Sequence, residues 1–241
     1  MKKISKSSEL LWLLGIIFVA LGVSICSKAN LGVSMIAAPA FVIYEAIAPF
    51  WSGFSVGMTE YLIQALLLVI LCIIIRKFNW RFLLAFAVAF GYGYVLDFFL
   101  WAFEGISFDY VWLRWIMLIV GDCATAFGVA CFFKTYMPLT VYELFVSETS
   151  NAFKININKI KWLFDISLLL ISIILTITLF GDFLSFDWST IFYASFHSIG
   201  FGTIITTIIN SPIISIMSKI IDKIFDTSPR FIKLHYFLTK K

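Results

Sequence analysis

Six long apolar runs constrain the fold of this chain more than any other feature of its sequence. Each run approaches or exceeds the roughly 20 residues that an α-helix needs to cross the hydrocarbon core of a bilayer. The chain is 61% hydrophobic and 13% charged, whereas a soluble domain is about half apolar and a quarter charged. The sequence therefore predicts an all-α integral membrane protein with six transmembrane helices. The predicted spans are residues 9–28, 55–76, 80–103, 111–134, 159–180 and 188–209.

The prolines support these boundaries, and the basic residues indicate an orientation. None of the five prolines lies within a predicted span, as expected for a residue that breaks helical hydrogen bonds. Sixteen of the eighteen lysines and arginines fall on the side of the N-terminus, and only Lys28 and Arg114 fall on the other. Because cytoplasmic loops are enriched in these residues, we expect a multi-pass protein of the cell membrane with both termini in the cytoplasm.

Two connecting segments and the C-terminal end are unusual for loops. Residues 31–53 and 137–157 are too long for tight turns and too apolar for ordinary loops, so each is predicted to contain a short helix. Either this helix lies in the membrane interface, or it re-enters the membrane, which requires burial in protein or a cavity. Residues 211–241 are amphipathic and basic, which predicts a segment held at the interface by anionic head groups.

An internal repeat relates the two halves of the chain. At an offset of 106 residues, Gly15 and Gly22 map onto Gly121 and Gly128 of the fourth span. The second span matches the fifth at an offset of 101, and the third matches the sixth at 109. Because each repeat has an odd number of spans, the second copy enters the membrane inverted, as in many secondary transporters. The predicted organisation is a cytoplasmic N-terminus (1–8), two inverted three-helix repeats (9–106 and 107–210) and a basic C-terminal segment (211–241).

Small residues form one face of the third span and of its proposed partner. The two sets are Ala85, Ala89 and Gly93 on the third span and Ala194, Ser198 and Gly202 on the sixth. Small residues let helix backbones approach closely, so both faces are predicted to pack against other helices. The symmetry fails for charge, because Asp97 at the end of the first face maps onto Thr206.

The glycine-rich turn after the first span gives the chain a family resemblance. The motifs are Leu21-Gly22-Val23-Ser24, Lys28-Ala29-Asn30-Leu31-Gly32-Val33-Ser34, Gly91 and Gly93 before Asp97, and Thr140-Val141-Tyr142-Glu143. They resemble the YczE/YitT-like family of bacterial polytopic membrane proteins, which implies a bacterial membrane protein of a family to which transport is commonly attributed. Where that family often has Pro-Trp-Asp, this chain has Met35-Ile36-Ala37, and an acidic residue occurs only in the second copy, as Glu143.

Ionisable residues within the predicted spans are the candidate functional residues. Asp122 and His197 fall near the middle of their spans, and Asp97 lies two turns from an end. An uncompensated charge at the bilayer centre costs about 2.5–3.5 kcal/mol, so each residue needs a partner or a wet cavity. We expect Asp122 and His197 to serve a substrate or proton pathway, whereas Asp97 fits such a role and a structural hydrogen bond equally. Asp165 is expected to be a helix-end residue that extends toward the interface near Lys161, one turn away.

Two equivalent lysines raise a further choice. Lys28 and Lys134 end the first and fourth spans at matching positions of the repeat. Either they anchor these helices at the interface, or they flank, together with Asn30 and Glu143, the two mouths of one pathway. The second interpretation favours an anionic or zwitterionic solute.

These features favour a secondary transporter or permease that moves a small polar solute by alternating access, with protons as the coupling ion. The alternatives are a non-transporting accessory or scaffold protein for a biosynthetic or export partner, and the substrate-binding subunit of a vitamin-type importer. The sequence lacks enzyme signatures such as GxSxG, HExxH and the phosphate-binding loop, so we expect neither enzymatic activity nor a cofactor. The expected partners are the lipid bilayer, the solute and either a second copy or a membrane partner. Basic residues at helix ends do not indicate nucleic-acid binding.

Overall fold

The long secondary-structure elements in the part of the chain that the structure describes are all helices. A computed structural model describes residues 7–181 and 187–239, so most of the predicted segment 1–8, part of the loop before the sixth span and residues 240–241 lie outside the described residues. The helices are α1 (Ser8–Ala29), α2 (Ala38–Ile47), α3 (Val56–Ile75), α4 (Arg81–Ala102), α5 (Val111–Phe132), α6 (Val141–Phe153), α7 (Ile157–Leu179), α8 (Phe201–Ile224) and α9 (Ile232–Thr239). Six of them (α1, α3, α4, α5, α7 and α8) are long and apolar enough to cross a membrane. The predicted fold class is therefore confirmed.

Five of the six predicted spans coincide with long helices, but the position of the sixth is wrong. The last long helix begins at Phe201 rather than at residue 188. The chain before it turns sharply, with a left-handed backbone at His197 (φ 44°) and Ser198 (φ 63°). Residues on both sides of this turn are apolar, so hydropathy alone does not reveal where the helix begins.

Pro212 lies inside α8, and the prediction that every proline flanks the spans is therefore wrong. The helix continues through it to Ile224, so residue 211 does not begin a separate segment. Proline removes one backbone donor, but transmembrane helices tolerate it because neighbouring groups can satisfy the freed carbonyl.

Four glycines join α1 and α5, and their contacts have the symmetry of an inverted repeat. A Cβ atom on Gly121 would lie 2.8 Å from the Gly22 carbonyl oxygen, and one on Gly128 would lie 2.8 Å from that of Gly15. Only glycine allows so close an approach of two backbones. Gly15 thus contacts Gly128, which is the repeat equivalent of Gly22. Gly22 contacts Gly121, which is the repeat equivalent of Gly15. A two-fold axis between antiparallel helices produces this reciprocal pattern.

The contacts of the other helices recur in the same way when each helix of the first half is exchanged for its counterpart in the second. The contact of α1 with α4 recurs as that of α5 with α8, and the contact of α3 with α4 recurs as that of α7 with α8. Each short helix packs against the second span of the other half, as α2 on α7 and α6 on α3. The two halves therefore interlock rather than standing side by side.

The two ends of the described chain meet on one face of the bundle, which we call the N-terminal face. The Ser7 N–H donates to the Asp226 carbonyl oxygen at 3.0 Å. The Glu9 carboxylate accepts hydrogen bonds from the backbone N–H groups of Arg230 and Phe231, both at 2.9 Å. Because successive spans alternate in direction, α3, α5 and α8 begin on the other side, which we call the opposite face.

The short helix α6 begins inside the bundle rather than at its surface. The Val141 N–H donates to the Gln64 side-chain oxygen at 3.1 Å, and Gln64 is the ninth of the twenty residues of α3. The Tyr142 hydroxyl also donates to the Glu60 carboxylate on α3, at 2.9 Å. The chain that leaves α5 at the N-terminal face therefore returns to mid-depth before α6 starts, as a re-entrant segment does.

The segment that leads into α2 is equally deep. Every residue from Leu31 to Val42 is buried, and Met35 and Ile36 belong to the same apolar cluster as Val141 and Tyr142. A helix lying in the membrane interface would leave one side exposed. Of the two alternatives for these segments, the structure therefore supports re-entry, and both short helices start near the centre of the bundle.

Candidate functional site

A cavity of about 530 Å³ lies among α5, α6, α7 and α8 and opens on the N-terminal face. Its mouth is formed by Lys134 after α5, Asn158 at the start of α7 and Lys219 near the end of α8. The polar residues that line it are Lys134, Thr135, Ser147, Asn158, Lys161, Ser211, Ser215, Ser218 and Lys219. Among the described residues, no acidic side chain lines it. Lys134 and Lys161 have carboxylate partners, Asp222 and Asp165, so an anion in the cavity would compete with these partners for the two ammonium groups.

Serines of α8 form one wall of this cavity. Ser211, Ser215 and Ser218 follow at i, i+4 and i+7, which places them on one helix face over about 10 Å of helix length. Ser211 is the eleventh of the 24 residues of α8, so the wall reaches mid-depth. Its hydroxyl oxygen is buried and has no hydrogen-bond partner within the described part of the chain. A ligand in the cavity could therefore form hydrogen bonds with serine hydroxyl groups along the whole wall.

Lys161 connects the cavity with buried carboxylates. It lines the cavity, yet only 5% of its surface is exposed, and its ammonium group pairs with Asp165 one helical turn later. The prediction that Asp165 extends to the interface from a helix end is wrong, because Asp165 is completely buried. One Asp165 carboxylate oxygen has no hydrogen-bond partner among the described residues.

Asp122 completes this charge cluster from α5. It is completely buried near the middle of its helix, and it interacts electrostatically with Lys161 and Asp165. Neither of its carboxylate oxygens accepts a hydrogen bond from a residue that the structure describes. Asp122 and Asp165 thus lie near one ammonium group, and these three groups are balanced only when one carboxyl group is protonated or a cation is bound.

A second buried group lies around Glu60, which the sequence analysis does not single out. Glu60 and Gln64 are completely buried on α3, where they accept the two hydrogen bonds from the start of α6 described above. The offset of 101 that maps Gln64 onto Asp165 also maps Glu60 onto Lys161. This relation is the sequence signal that could have identified Glu60, because it places an acid and a base at equivalent positions of the two repeats.

Glu143 lies between the two groups. It is 3% exposed and accepts a hydrogen bond from the Thr140 hydroxyl. It interacts electrostatically with Lys161 and Asp165 on one side and with Glu60 on the other. The structure therefore brings two of the predicted site residues, Asp122 and Glu143, into one continuous buried polar region.

Asp97 lies apart from this region, near the opposite face. Its two carboxylate oxygens accept hydrogen bonds from the Gly57 N–H at 2.8 Å and from the Ser55 hydroxyl at 2.7 Å. Both donors belong to the start of α3, where the helix dipole favours a negative charge. Of its two predicted roles, this geometry supports the structural one.

The prediction that His197 lies mid-span is wrong, since it belongs to the turn before α8. Its Nδ1 atom lies 3.3 Å from the Glu45 carboxylate near the end of α2, and its ring stacks on Phe180. Nearby, Asn30 accepts a hydrogen bond from the Ser195 hydroxyl at 2.8 Å. These contacts fasten the re-entrant segment of the first half to the loop before α8.

The two equivalent lysines have different surroundings. Lys28 donates to the Glu104 carbonyl oxygen at 3.3 Å on the opposite face. Lys134 forms an ion pair of 2.7 Å with Asp222 at the mouth of the cavity. The structure therefore places only Lys134 beside a cavity.

The small-residue face of α4 is packed as its composition predicts. Ala85 and Ala89 are buried, and a Cβ atom on Gly93 would lie 2.8 Å from the Gly57 carbonyl oxygen of α3. The proposed partner face is wrong, because Ala194 and Ser198 precede α8 and share no helix with Gly202. These predicted residues therefore do not form a symmetric pair of helix faces.

The contact of α3 with α4, compared with that of α7 with α8, indicates a different offset between α4 and α8. Gly57 of α3 is equivalent to Asn158 of α7 at the offset of 101. Gly57 contacts Gly93 on α4, and Asn158 and Ser211 on α8 line the same cavity. Taking these two pairs as equivalent gives an offset of 118 between α4 and α8, instead of the predicted 109. At this offset, Ala85, Ala89, Gly93 and Asp97 map onto Thr203, Thr207, Ser211 and Ser215.

Comparison with known proteins gives a family but no described relative. No curated protein and no solved structure matches the chain. The resemblance to the YczE/YitT-like family is not confirmed by the family that does match. A family model described as a family of unknown function covers residues 6–219, and the chain therefore belongs to the family DUF6198.

Proposed function

We propose that this protein is a secondary transporter that moves a small anionic solute across the membrane by alternating access. The observation that carries the proposal is the unequal state of two equivalent helix pairs. Between α3 and α4, Gly57 and Gly93 are in backbone contact, whereas their counterparts Asn158 and Ser211 line a cavity. In an inverted repeat, exchanging these two conformations converts a cavity open to one side into a cavity open to the other.

The lining of the cavity indicates the charge of the solute. Lys219 and the serine wall offer positive charge and hydroxyl donors, and Lys134 and Lys161 can do so in competition with Asp222 and Asp165. The volume of about 530 Å³ falls within the range of about 300–1,000 Å³ that small-molecule sites occupy. Leu139, two residues before α6, lines the cavity, so the positive end of the α6 dipole adds to the attraction for an anion.

Asp122 is the residue that we assign to proton coupling. Its carboxylate is buried without a hydrogen-bond partner among the described residues, next to a lysine that faces the cavity. An anion that approaches Lys161 competes with Asp122 and Asp165 for the same ammonium group. Protonation of Asp122 would remove one negative charge from the surroundings of Lys161 and so favour the approach of the anionic solute, which couples the two movements.

The basic residues indicate the side of the membrane to which the cavity opens. With sixteen of the eighteen lysines and arginines on the side of the N-terminus, the N-terminal face is the cytoplasmic one. The cavity then represents the state open to the cytoplasm.

Labelling of single cysteines with a membrane-impermeant maleimide tests this proposal without knowledge of the solute. Ser215→Cys reports the open cavity, and Ser24→Cys reports the closed side, because Ser24 is completely buried and is equivalent to the cavity residue Ala130. In vesicles, Ser215→Cys is expected to react from the N-terminal face and Ser24→Cys, more slowly, from the opposite face. The unmodified chain, with its four native cysteines, gives the background.

Transport also predicts that the two labels compete. Conditions that increase the reaction of Ser24→Cys should protect Ser215→Cys, because one molecule cannot open both sides at once. If Ser215→Cys always reacts and Ser24→Cys never does, the cavity is static, and the protein is an accessory or scaffold protein instead.

A further inference from the structure

The cavity adjoins a groove on the side of the bundle. The groove, of about 730 Å³, lies between α7 and α8 and shares Asn158, Ser211 and Ser215 with the cavity. Both helices are long and apolar enough to cross a membrane, and in a membrane this side of the pair would face the lipid leaflet next to the N-terminal face. The shared residues thus form the partition between the cavity and the lipid-facing groove.

The cavity and the groove differ in chemistry. The groove is lined by Trp162 and Leu163 of α7, both at least half exposed, by Pro212 of α8 and, near the start of α7, by Lys159. The cavity behind it contains Lys161 and the serine wall. A molecule that lies in both would need an apolar part and an anionic part. A soluble ion would need only the opening to water.

Pro212 stands at the junction of the two spaces and weakens α8 there. A proline has no backbone N–H, so the helical hydrogen bond to the Ile208 carbonyl oxygen is missing. Helices bend most readily where such a bond is absent. The wall between cavity and lipid thus contains the point of α8 at which a change in the width of the groove costs least.

We propose that the transported solute is an amphiphile with a small anionic head group, which enters sideways from the lipid leaflet at the N-terminal face. The head group lies in the cavity near Lys161 and Lys219, and the acyl chain lies in the groove on Trp162 and Leu163. This inference rests on the proposed transport function and specifies its substrate class.

Binding of phosphatidic acid to the purified full-length protein tests the head-group site. The retained lipid is measured by native mass spectrometry against phosphatidylcholine, which has the same chains and no net charge. Lys219→Gln removes one charge at the mouth of the cavity and is expected to weaken phosphatidic acid binding about fivefold, since one lysine near an anionic lipid contributes about 1 kcal/mol. Lys223→Gln is the matched control, because this lysine lies one turn further along α8 and does not line the cavity.

A second pair of variants tests the sideways path. Leu163→Trp fills the groove from an exposed position and should reduce phosphatidic acid binding without changing the binding of glycerol 3-phosphate, a head group without chains. Leu170→Trp, two turns further along α7 and equally exposed to lipid, should change neither.

The outcomes separate this inference from the proposed function. If glycerol 3-phosphate binds as tightly as phosphatidic acid and Leu163→Trp affects neither, the solute is a soluble anion and the inference is wrong, while transport stands. If Lys219→Gln and Lys223→Gln retain phosphatidic acid equally, the lipid binds nonspecifically, which also overturns the inference. Specific lipid binding in a protein whose Ser24→Cys variant never reacts would leave the lipid site intact and remove transport.

Discussion

The two halves of this protein contain equivalent helices in equivalent contacts, but one pair is closed and the other is open. On the opposite face, Gly57 and Gly93 bring α3 and α4 into backbone contact, and Asp97 accepts two hydrogen bonds from the start of α3. On the N-terminal face, Asn158 and Ser211 line a cavity between the corresponding helices. The same frame thus holds two conformations at once, as a transporter captured in one of its end states does.

The halves also differ in the charge that they bury near the centre. The first half places Glu60 and Gln64 against the start of α6, whereas the second half places Lys161 and Asp165 at the equivalent positions. The basic side faces the open cavity, and the acidic side is closed. The difference between the halves therefore has two possible origins, a conformational exchange or a permanent difference in side chains, and the following predictions separate them.

Removing the central ammonium group should have the largest effect. Lys161→Met leaves Asp165 and Asp122 buried without their shared counter-charge, and we expect the free energy of unfolding to fall by about 3–5 kcal/mol. The measurement is denaturant titration in mixed detergent micelles. Lys159→Met, at an exposed position two residues earlier, is the control and should have little effect.

A double variant shows whether the loss comes from the uncompensated charge. Lys161→Met with Asp165→Asn removes both members of the pair and should recover much of the stability. If Lys161→Met alone costs no more than Lys159→Met, the buried cluster is not held together by ion pairing.

Breaking the closed contact should have the next largest effect. A Cβ atom on Gly93 would lie 2.8 Å from the Gly57 carbonyl oxygen, so Gly93→Ala should cost about 1–3 kcal/mol through overpacking. On the same helix, a Cβ atom on Gly91 meets no atom within 4 Å, and Gly91→Ala should stabilise the protein slightly, because alanine favours a helix over glycine. The melting temperatures should move in opposite directions, and equal shifts would contradict the close contact.

Weakening the hydrogen bonds at the start of α3 should have a smaller effect on stability and a visible one on conformation. Asp97→Asn keeps the shape of the side chain but loses its charge at the positive end of the helix dipole, for an expected cost of about 1 kcal/mol. If the closed pair opens during transport, the reaction of Ser24→Cys from the opposite face should become faster. Asp109→Asn, at an exposed position on the same face, should leave that rate unchanged, and a permanent difference between the halves predicts no change for either variant.

The ion pair at the mouth of the cavity should contribute least. Lys134 and Asp222 are 2.7 Å apart, but 26% and 51% of their side chains are exposed, and exposed pairs contribute between about 0 and 1 kcal/mol. Asp222→Asn should therefore change the melting temperature very little and should increase phosphatidic acid binding, because it frees a lysine of the cavity. A loss of binding would show that Asp222 positions Lys134 for the lipid rather than competing with the lipid for it.

The features that the sequence predicts correctly are those carried by a single segment or by glycines. Apolar length places five of the six spans, and the repeat at an offset of 106 identifies the four glycines at which α1 and α5 meet. Each of these depends on local composition or on residues that must be small wherever the helices cross.

The features that the sequence does not predict depend on packing between distant segments. Phe201 begins the last long helix although apolar residues also precede it, because the chain turns at His197 and Ser198 to contact Glu45. Glu60 becomes part of the central polar region through Tyr142, which follows 82 residues later in the chain. Neither contact leaves a periodic signal within its own segment.

The sequence by itself determined that this chain is a helical membrane protein with two related halves, because hydropathy and glycine spacing are properties of each segment. The tertiary structure decided that both short helices re-enter the membrane, that one face is closed while the other holds a basic cavity, and that Asp122, Lys161 and Glu143 share one buried region. The reason is physical. A buried charge or an interior helix end is tolerated only where other segments provide its partners, and those partners are defined by the packing of the whole bundle.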